Sequence, residues 1–197
     1  MSHTGVAFYF DLASPLAYLA AERILHELPG PAEWQPVLAR ELSGGDAAHG
    51  DPGEQREFRA LVERSAQALG LQAMRWPEPF PFDSSLAMRV ATYAKSIGRT
   101  VPFVQAAFRQ AFAGGHSLAD PDYVVIAAAA CEMHPSAVLR GAEMRSIARQ
   151  LEESTAAAAA IGVRGVPAIA VGGRVFDGPR AIEDAAASIG ELLEART

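Results

Sequence analysis

Cysteine and lysine are nearly absent from this chain of 197 residues, each occurring once, as Cys131 and Lys95. A single cysteine excludes an internal disulfide, a CxxC redox pair and a cysteine-rich zinc site. The five histidines show no metal-ligand spacing, so we expect no metal site. The formal net charge of −6 argues against general binding of nucleic acid.

Long apolar runs and a targeting segment are also lacking. The apolar stretch 123–131 is about half the length that a membrane-spanning helix needs. The N-terminus shows no charged region followed by an apolar core, as a signal peptide would. We therefore expect a cytoplasmic protein with no membrane partner, a compartment that suits a chain without disulfides.

The first third of the chain predicts a β-α-β unit. Hydrophobic residues make up 50% of the sequence, enough for a sizeable core, and the length favours one domain over 1–197. The aromatic and β-branched segment 5–10 predicts a buried strand. Ser14 and Pro15 are favoured residues for a helix cap and a first helical position, so a helix should run from there to about residue 28. Segment 33–38 predicts a second strand.

The middle of the chain predicts helices, and the end predicts strands again. A glycine-rich loop over 42–53 should precede helices at 54–69, 84–97, 101–112, 121–131 and 136–160, the last with a break near Gly141. The proline-rich segment 76–82 should be extended. Strands at 168–171 and 174–176 flank the turn Gly172-Gly173, and a helix closes the chain at 180–194. This order predicts one α/β domain with a helical insertion over about 42–160.

Two short segments are candidates for chemistry. Ser14 lies where a strand meets a helix, and the free N–H groups of a helix start stabilise an anion. The hydroxyl would add a hydrogen bond to that anion. The alternative, which the spacing alone favours, is that Ser14 is only a helix cap. Val166-Pro167 directly precedes a strand and is a candidate cis-proline, which would leave the Val166 backbone groups to pair with an extended ligand. An ordinary trans proline opening a strand is the alternative.

Taken together, these features resemble a known family. The order β-α-β, helices, β-β-α with Val-Pro before the third strand resembles the thioredoxin fold, and the helical block resembles its DsbA-like members. The sequences FYFDLASPLAYLAAERI, WPEPFPFDSSLAMR and GVRGVPAIAVGGRVFDG, at 8–24, 76–89 and 162–178, look like the branch of 2-hydroxychromene-2-carboxylate isomerases and kappa-class glutathione transferases. The resemblance covers nearly the whole chain.

This resemblance implies roles for particular residues. Where redox relatives carry a CxxC motif, this chain has Ser-Pro-Leu-Ala at 14–17, without a thiol, so it cannot exchange disulfides unaided. The resemblance implies that glutathione is the cofactor and brings the thiol, with Ser14 as the catalytic donor to its sulfur. The residues implied in binding glutathione are Pro15, Val166, Pro167, Asp177, Gly178 and Arg180.

The chain departs from the family pattern in two places. The isomerase-like members continue after the hairpin with Phe-Trp-Gly, whereas this chain has Phe-Asp-Gly at 176–178. Asp177, Glu183 or Asp184 would then have to hold the α-amino group of glutathione. A lysine that the family tends to carry after the second strand is also missing. Arg56 or Arg59 would supply its charge, unless both lie on a solvated helix face.

The remaining candidates allow a functional and a structural interpretation. Trp76, Phe80 and Phe82 form either an aromatic wall for a planar substrate or part of the core. His49 and His116 lie in glycine-rich loops that could line the cleft. Cys131, in an alanine-rich apolar segment, is expected to be a buried, inert thiol.

The leading functional prediction is a glutathione-dependent isomerase of the 2-hydroxychromene-2-carboxylate type, acting on a small electrophilic substrate in aromatic catabolism. A kappa-like glutathione transferase is the second prediction. The third is a DsbA-like protein without redox chemistry that binds a thiol compound or a peptide. A homodimer is plausible from the resemblance alone.

Overall fold

A computed structural model describes residues 5–44 and 51–195 of the chain. The strands are β1 (Val6–Phe10), β2 (Ala32–Pro36), β3 (Ala168–Val171) and β4 (Arg174–Asp177). They form one four-stranded sheet in the order β2-β1-β3-β4. β1 pairs in parallel with β2 and antiparallel with β3, which in turn pairs antiparallel with β4.

Helices account for most of the rest. The α-helices are α1 (Pro15–Glu27), α2 (Pro52–Ala68), α3 (Ser85–Ser96), α4 (Thr100–Phe112), α5 (Pro121–Ala129), α6 (Pro135–Glu143), α7 (Arg145–Ala160) and α8 (Ala181–Glu194). α1 connects β1 to β2, α2 to α7 lie between β2 and β3, and α8 follows β4. A short 3-10 helix, Ala39–Glu41, follows β2. The predicted order, β-α-β, helices, β-β-α, is confirmed.

Two predicted boundaries were wrong. The predicted loop over 42–53 ends earlier, because α2 begins at Pro52 with a capping box between Asp51 and Glu54. Six residues of that loop, 45–50, lie outside the described residues, and so does His49. The predicted helix over 136–160 is two helices, and the break falls at Met144, whose backbone is extended, rather than near Gly141.

The alternation of side chains along β1 divides the core between the two faces of the sheet. Phe8 and Phe10 are fully buried on one face, where Trp34 and Phe108 pack against their rings. Tyr9 faces the other way and belongs to a smaller cluster that includes Ala158 of α7. The carboxyl end of β1 is thereby held between two packed layers, and this rigid end carries the turn that leads to Ser14.

The second hairpin strand and the turn before it follow the prediction closely. Gly172 and Gly173 have φ values of 57° and 86°, the left-handed conformation that a two-residue hairpin turn requires. The antiparallel register then pairs Ala168 with Asp177. This register brings the end of β4 to the same edge of the sheet as the residue that follows Pro167.

Candidate active site

Ser14 lies at the N-terminus of α1, as the sequence predicts. Its backbone is extended (φ −92°, ψ 112°), Pro15 occupies the first helical position, and the Ser14 Oγ accepts a hydrogen bond of 3.2 Å from the Ala17 N–H. A hydroxyl has one donor hydrogen besides its acceptor lone pairs. Among the described residues, no protein acceptor takes the Ser14 hydrogen, so capping leaves the donor available.

The Val166–Pro167 peptide bond is cis, which confirms the interpretation of this proline as a cis-proline. Neither the N–H nor the C=O of Val166 has a hydrogen-bond partner within the described part of the chain. Gly44 packs against the backbone just before Val166, because its N–H donates to the Arg164 carbonyl at 2.6 Å. A Cβ at position 44 would lie 2.4 Å from that carbonyl oxygen, so the close approach requires glycine.

A cavity of about 420 Å³ joins these two segments. Its lining residues include Ser14, Pro15 and Val166, and Pro167 follows directly in the chain. The other lining residues come from the turn before α1, the first turn of α1, the 3-10 helix and Gly44 beyond it, α2, the segment that leads into α3, and the residue before Val166: Asp11, Ala13, Leu16, Ala39, Arg40, Gly44, Phe58, Pro81, Phe82, Asp83, Ser84 and Gly165. Three of the seven predicted site residues, Ser14, Pro15 and Val166, therefore line one cavity, and a fourth, Pro167, adjoins it.

The other three, Asp177, Gly178 and Arg180, do not line this cavity. Asp177 ends β4, opposite Ala168, and all three residues are exposed. The Arg180 Nε lies 3.7 Å from the Asp184 Oδ1 on its own helix. These residues lie near the end of the sheet at which the cis-proline precedes β3, outside the cavity that contains Ser14.

Asp11 is a buried carboxylate for which the sequence suggested no role. It is 4% exposed. Its Oδ1 accepts from the Ala13 N–H at 2.9 Å, and its Oδ2 accepts from the Ala39 N–H at 3.0 Å. Its backbone carbonyl also accepts from the Ser14 N–H. Asp11 thus links the turn that presents Ser14 to the 3-10 helix on the opposite wall.

Arg40, on that 3-10 helix, is the arginine that lines the cavity, and sequence reasoning missed it. Its Nη1 donates to the Asp83 Oδ1 at 3.0 Å and to the Ser85 Oγ at 2.7 Å. Of the two arginines proposed instead, Arg56 is exposed on α2, and Arg59 places its guanidinium 4.9 Å from the Trp76 ring centroid. The available signal was the position of Arg40 just after the second strand.

The three aromatic residues of the proline-rich segment divide between the two interpretations. Phe82 is buried and lines the cavity beside Pro81 and Phe58. Trp76 and Phe80 are in edge contact, with ring centroids 4.9 Å apart, and both pack against Phe112. Only Phe82 among the three is therefore placed to contact a ligand in the cavity.

The wall of the cavity carries groups of both signs. The N-terminus of α1 carries partial positive charge near Ser14 and Arg40 adds a full positive charge, while the carboxyl groups of Asp11 and Asp83 also line the wall. Asp83 stays ionised, because hydrogen bonds from Ser85 and the nearby Arg40 lower the pKa of the carboxyl group. Cys131 lies outside the lining; it is 8% exposed, and burial raises the pKa of its thiol.

Neither a cluster of metal-ligand side chains nor a membrane-spanning helix is present among the described residues. Across 5–44 and 51–195, no three His, Cys, Asp or Glu side chains are placed to hold a metal ion together. His116 stacks on Tyr123, at a centroid distance of 4.1 Å, instead of lining the cavity. None of the described helices is long and apolar enough to cross a bilayer.

Comparison with known proteins agrees with this architecture. The family model of the DSBA-like thioredoxin domain matches residues 5–190, and no curated protein matches by sequence. The structure is similar to that of a 2-hydroxychromene-2-carboxylate isomerase, with a TM-score of 0.85 and 18% identity, covering 97% of each chain. It is also similar to a probable DsbA oxidoreductase from Streptomyces coelicolor, with a TM-score of 0.78 and 19% identity over 99% of this chain and 92% of that one.

A third similar structure contains glutathione. The cytosolic disulfide reductase DsbM from Pseudomonas aeruginosa with GSH matches with a TM-score of 0.66 and 12% identity, covering 96% of this chain and 99% of that one. At such identities these likenesses show a shared fold. The family match, over nearly the whole length, is the stronger finding, and the chain belongs to the DSBA-like thioredoxin domain family.

Proposed function

We propose that this protein is a glutathione-dependent isomerase of the 2-hydroxychromene-2-carboxylate type, with an unsaturated 2-oxo acid as its substrate. The observation that carries the proposal is the Ser14 hydroxyl, at a helix N-terminus with its hydrogen unused, in one cavity with the free backbone groups of Val166. The likeness to the structure of such an isomerase supports the proposal at the level of the fold.

The cavity residues fit glutathione as a bound thiol. The peptide part of glutathione needs a backbone donor and acceptor, which Val166 offers beside the cis-proline. Its carboxylates need cationic or N–H donors, and its sulfur needs a hydrogen-bond donor near positive charge. Arg40, the start of α1 and Ser14 supply these groups on the walls of the same cavity. The chain itself offers no thiol there, since Cys131 is buried elsewhere.

The chain's residues would act mainly by stabilising the thiolate form of bound glutathione and by fixing its orientation. The Ser14 hydroxyl would donate to the sulfur, and the N–H groups of the first turn of α1 would add their partial positive charge. Both favour a thiolate over a thiol at neutral pH. Bound glutathione would supply that thiolate, whose reversible addition to the substrate turns a double bond into a rotatable single bond. Phe82 and Phe58 would contact the apolar part of the substrate.

The proposal is tested by isomerisation of 2-hydroxychromene-2-carboxylate, followed with and without glutathione. We expect turnover that requires glutathione and returns it unchanged. Ser14→Ala should lower kcat/KM by roughly 100-fold, because one donor to a developing anion is lost. Ser65→Ala is the matched control, since that serine is half-buried on α2, lies outside the cavity and donates only to the Leu61 carbonyl of its own helix. Turnover without glutathione, or a Ser14→Ala variant as active as wild type, would contradict the proposal.

Two other functions share this cavity, and the same assay separates them. A kappa-like glutathione transferase would release a glutathione conjugate instead of the isomer. A DsbA-like binding protein without redox chemistry would show no turnover with either type of substrate. The position of Asp177, Gly178 and Arg180 outside the cavity favours this last alternative, because the implied contacts with the α-amino end of glutathione are not assembled there.

A further inference from the structure

Arg40 is anchored on one side only. Its Nη1 donates to both the Asp83 Oδ1 and the Ser85 Oγ, whereas its Nε and Nη2 have no partner among the described residues. A guanidinium has five N–H donors in a planar fork, and the Nε–Nη2 edge matches the two oxygens of a carboxylate. The side chain lines the cavity and is 54% exposed, so this edge is accessible to a ligand.

The surroundings of Arg40 hold it in place. Asp83 is itself fixed, because its Oδ1 accepts from the Ser85 N–H at 2.9 Å and also bonds the Ser85 hydroxyl. On the backbone side, the buried Asp11 binds the neighbouring Ala39 N–H, which ties the 3-10 helix to the Ser14 turn. The guanidinium therefore has a defined position relative to Ser14, as an anchor for a ligand must.

We propose that Arg40 binds a ligand carboxylate through its Nε–Nη2 edge, with Asp83 and Ser85 as positioning residues that hold Nη1. This inference rests on the proposed function, since it adds a carboxylate subsite to the same cavity. The two candidates are the glycyl carboxylate of glutathione and the carboxylate of the 2-oxo acid substrate, since the γ-glutamyl end of glutathione is expected toward Asp177, outside the cavity. Arginine suits either one, because the planar fork binds both oxygens at once.

The test compares ligands that differ only in a carboxylate. Isothermal titration uses glutathione against its glycyl ethyl ester, and benzylidenepyruvate, an unsaturated 2-oxo acid, against its amide. In Arg40→Met, the affinity for the relevant carboxylate should fall about tenfold to a hundredfold, the worth of a charge-assisted hydrogen-bonded contact. The ester or amide of that pair, which lacks this carboxylate, should bind wild type and variant equally. Arg99→Met is the matched control, since Arg99 is 47% exposed and paired with Glu132 at 3.2 Å, outside the cavity.

The results for the two ligand pairs together identify which of the two carboxylates Arg40 binds. If the glycyl carboxylate is bound, wild type prefers glutathione to its ester and Arg40→Met does not. If the substrate carboxylate is bound, glutathione affinity is unchanged, and Arg40→Met raises KM for the 2-oxo acid more than it lowers kcat. Arg40→Lys should retain part of the preference, and Asp83→Asn should weaken it severalfold without removing it.

Glutathione binding by wild type tests the proposed function, whereas the effect of Arg40→Met on carboxylate binding tests the subsite. If wild type binds no glutathione, the proposed function is wrong. The affinity of benzylidenepyruvate for wild type and Arg40→Met then tests the carboxylate subsite alone. Weaker binding of this acid to Arg40→Met, with no change in Arg99→Met, supports the carboxylate subsite. Equal binding of every carboxylate by wild type and Arg40→Met, or no carboxylate binding by wild type, overturns the inference whether or not the protein is an isomerase.

Discussion

The Ser14 hydroxyl has the atoms for two roles that sequence reasoning treated as alternatives. As a cap it uses an acceptor lone pair, which takes the Ala17 N–H. As a donor it would use its hydrogen, which no described protein group accepts. A capping threonine would keep both functions, whereas alanine would lose both. The prediction of Ser14 as a helix cap is confirmed, and its role toward a thiol stays a proposal.

A thiol placed at position 14 should be acidic. Ser14→Cys in a Cys131→Ala background puts a sulfur among the N–H groups that begin α1, which lower the pKa of a thiol. We expect iodoacetamide to modify this variant at neutral pH faster than it modifies a short unstructured peptide with one cysteine. Mass spectrometry follows the reaction.

The wild-type protein provides the control for that experiment. Its one thiol, Cys131, is 8% exposed, and burial raises its pKa, so less thiolate is present at neutral pH. It should react slowly until the protein is unfolded in urea. The account of the α1 N-terminus is contradicted if the introduced thiol reacts no faster than the peptide.

Asp11 should matter for stability more than any exposed carboxylate. Asp11→Ala leaves the Ala13 and Ala39 N–H groups without their carboxylate acceptor. We expect the free energy of unfolding to fall by about 2–4 kcal/mol, measured by urea denaturation. Asp177→Ala, at an exposed strand end, should stay within about 0.5 kcal/mol of wild type. Equal effects of the two substitutions would show that Asp11 does not hold the cavity walls together.

At the scale of elements, the junction of α6 and α7 shows why one glycine misled the prediction. A glycine within a helical segment suggests a break, but Gly141 lies inside α6 and is buried. A Cβ there would lie 2.5 Å from the Tyr93 ring of α3, so the residue is small because two helices pack closely at that point. The actual break, at Met144, carries no such sequence signal.

Two glycines within helices, Gly141 and Gly190, should respond in opposite ways to alanine. At Gly141 the clash with the Tyr93 ring should outweigh the gain in helix propensity, with a net loss of about 1–2 kcal/mol. Gly190 lies in α8 with no atom within 4 Å of its hypothetical Cβ. Gly190→Ala should therefore raise stability by about 0.5–1 kcal/mol. Urea denaturation followed by circular dichroism measures both, and a stabilised Gly141→Ala would contradict the packing argument.

Sequence patterns within a few residues predicted the helices and strands well. The residues that the sequence analysis missed are positioned by contacts between distant parts of the chain. Ser14, Pro15 and the Val166-Pro167 pair act within a few residues of themselves, so their patterns were visible. Arg40 meets Asp83 across 43 positions, and Asp11 reaches the Ala39 N–H across 28. No spacing rule connects such residues. The contacts that position Arg40 and the hydrogen bonds of the buried Asp11 therefore became visible only once the chain was folded.

At the scale of the molecule, the cavity depends on the whole topology. Ser14 follows β1, Arg40 follows β2, Val166 precedes β3, and Phe82 and Asp83 come from the entrance to α3. The parallel pairing of β1 with β2 and the antiparallel pairing with β3 bring the first three to one edge of the sheet. The helical insertion then supplies the facing wall. The expected homodimer concerns surfaces beyond this cavity and stays a prediction.

The central claim is that the reactive thiolate belongs to bound glutathione and is stabilised by Ser14. Its most direct test is a pH titration of the glutathione thiol in the complex, followed by the ultraviolet absorbance of the thiolate, in a Cys131→Ala background. The account predicts a pKa at least about one unit below that of free glutathione, and a return toward the free value in Ser14→Ala. A bound thiol with the same pKa in both proteins, or no saturable binding at millimolar glutathione, would contradict it.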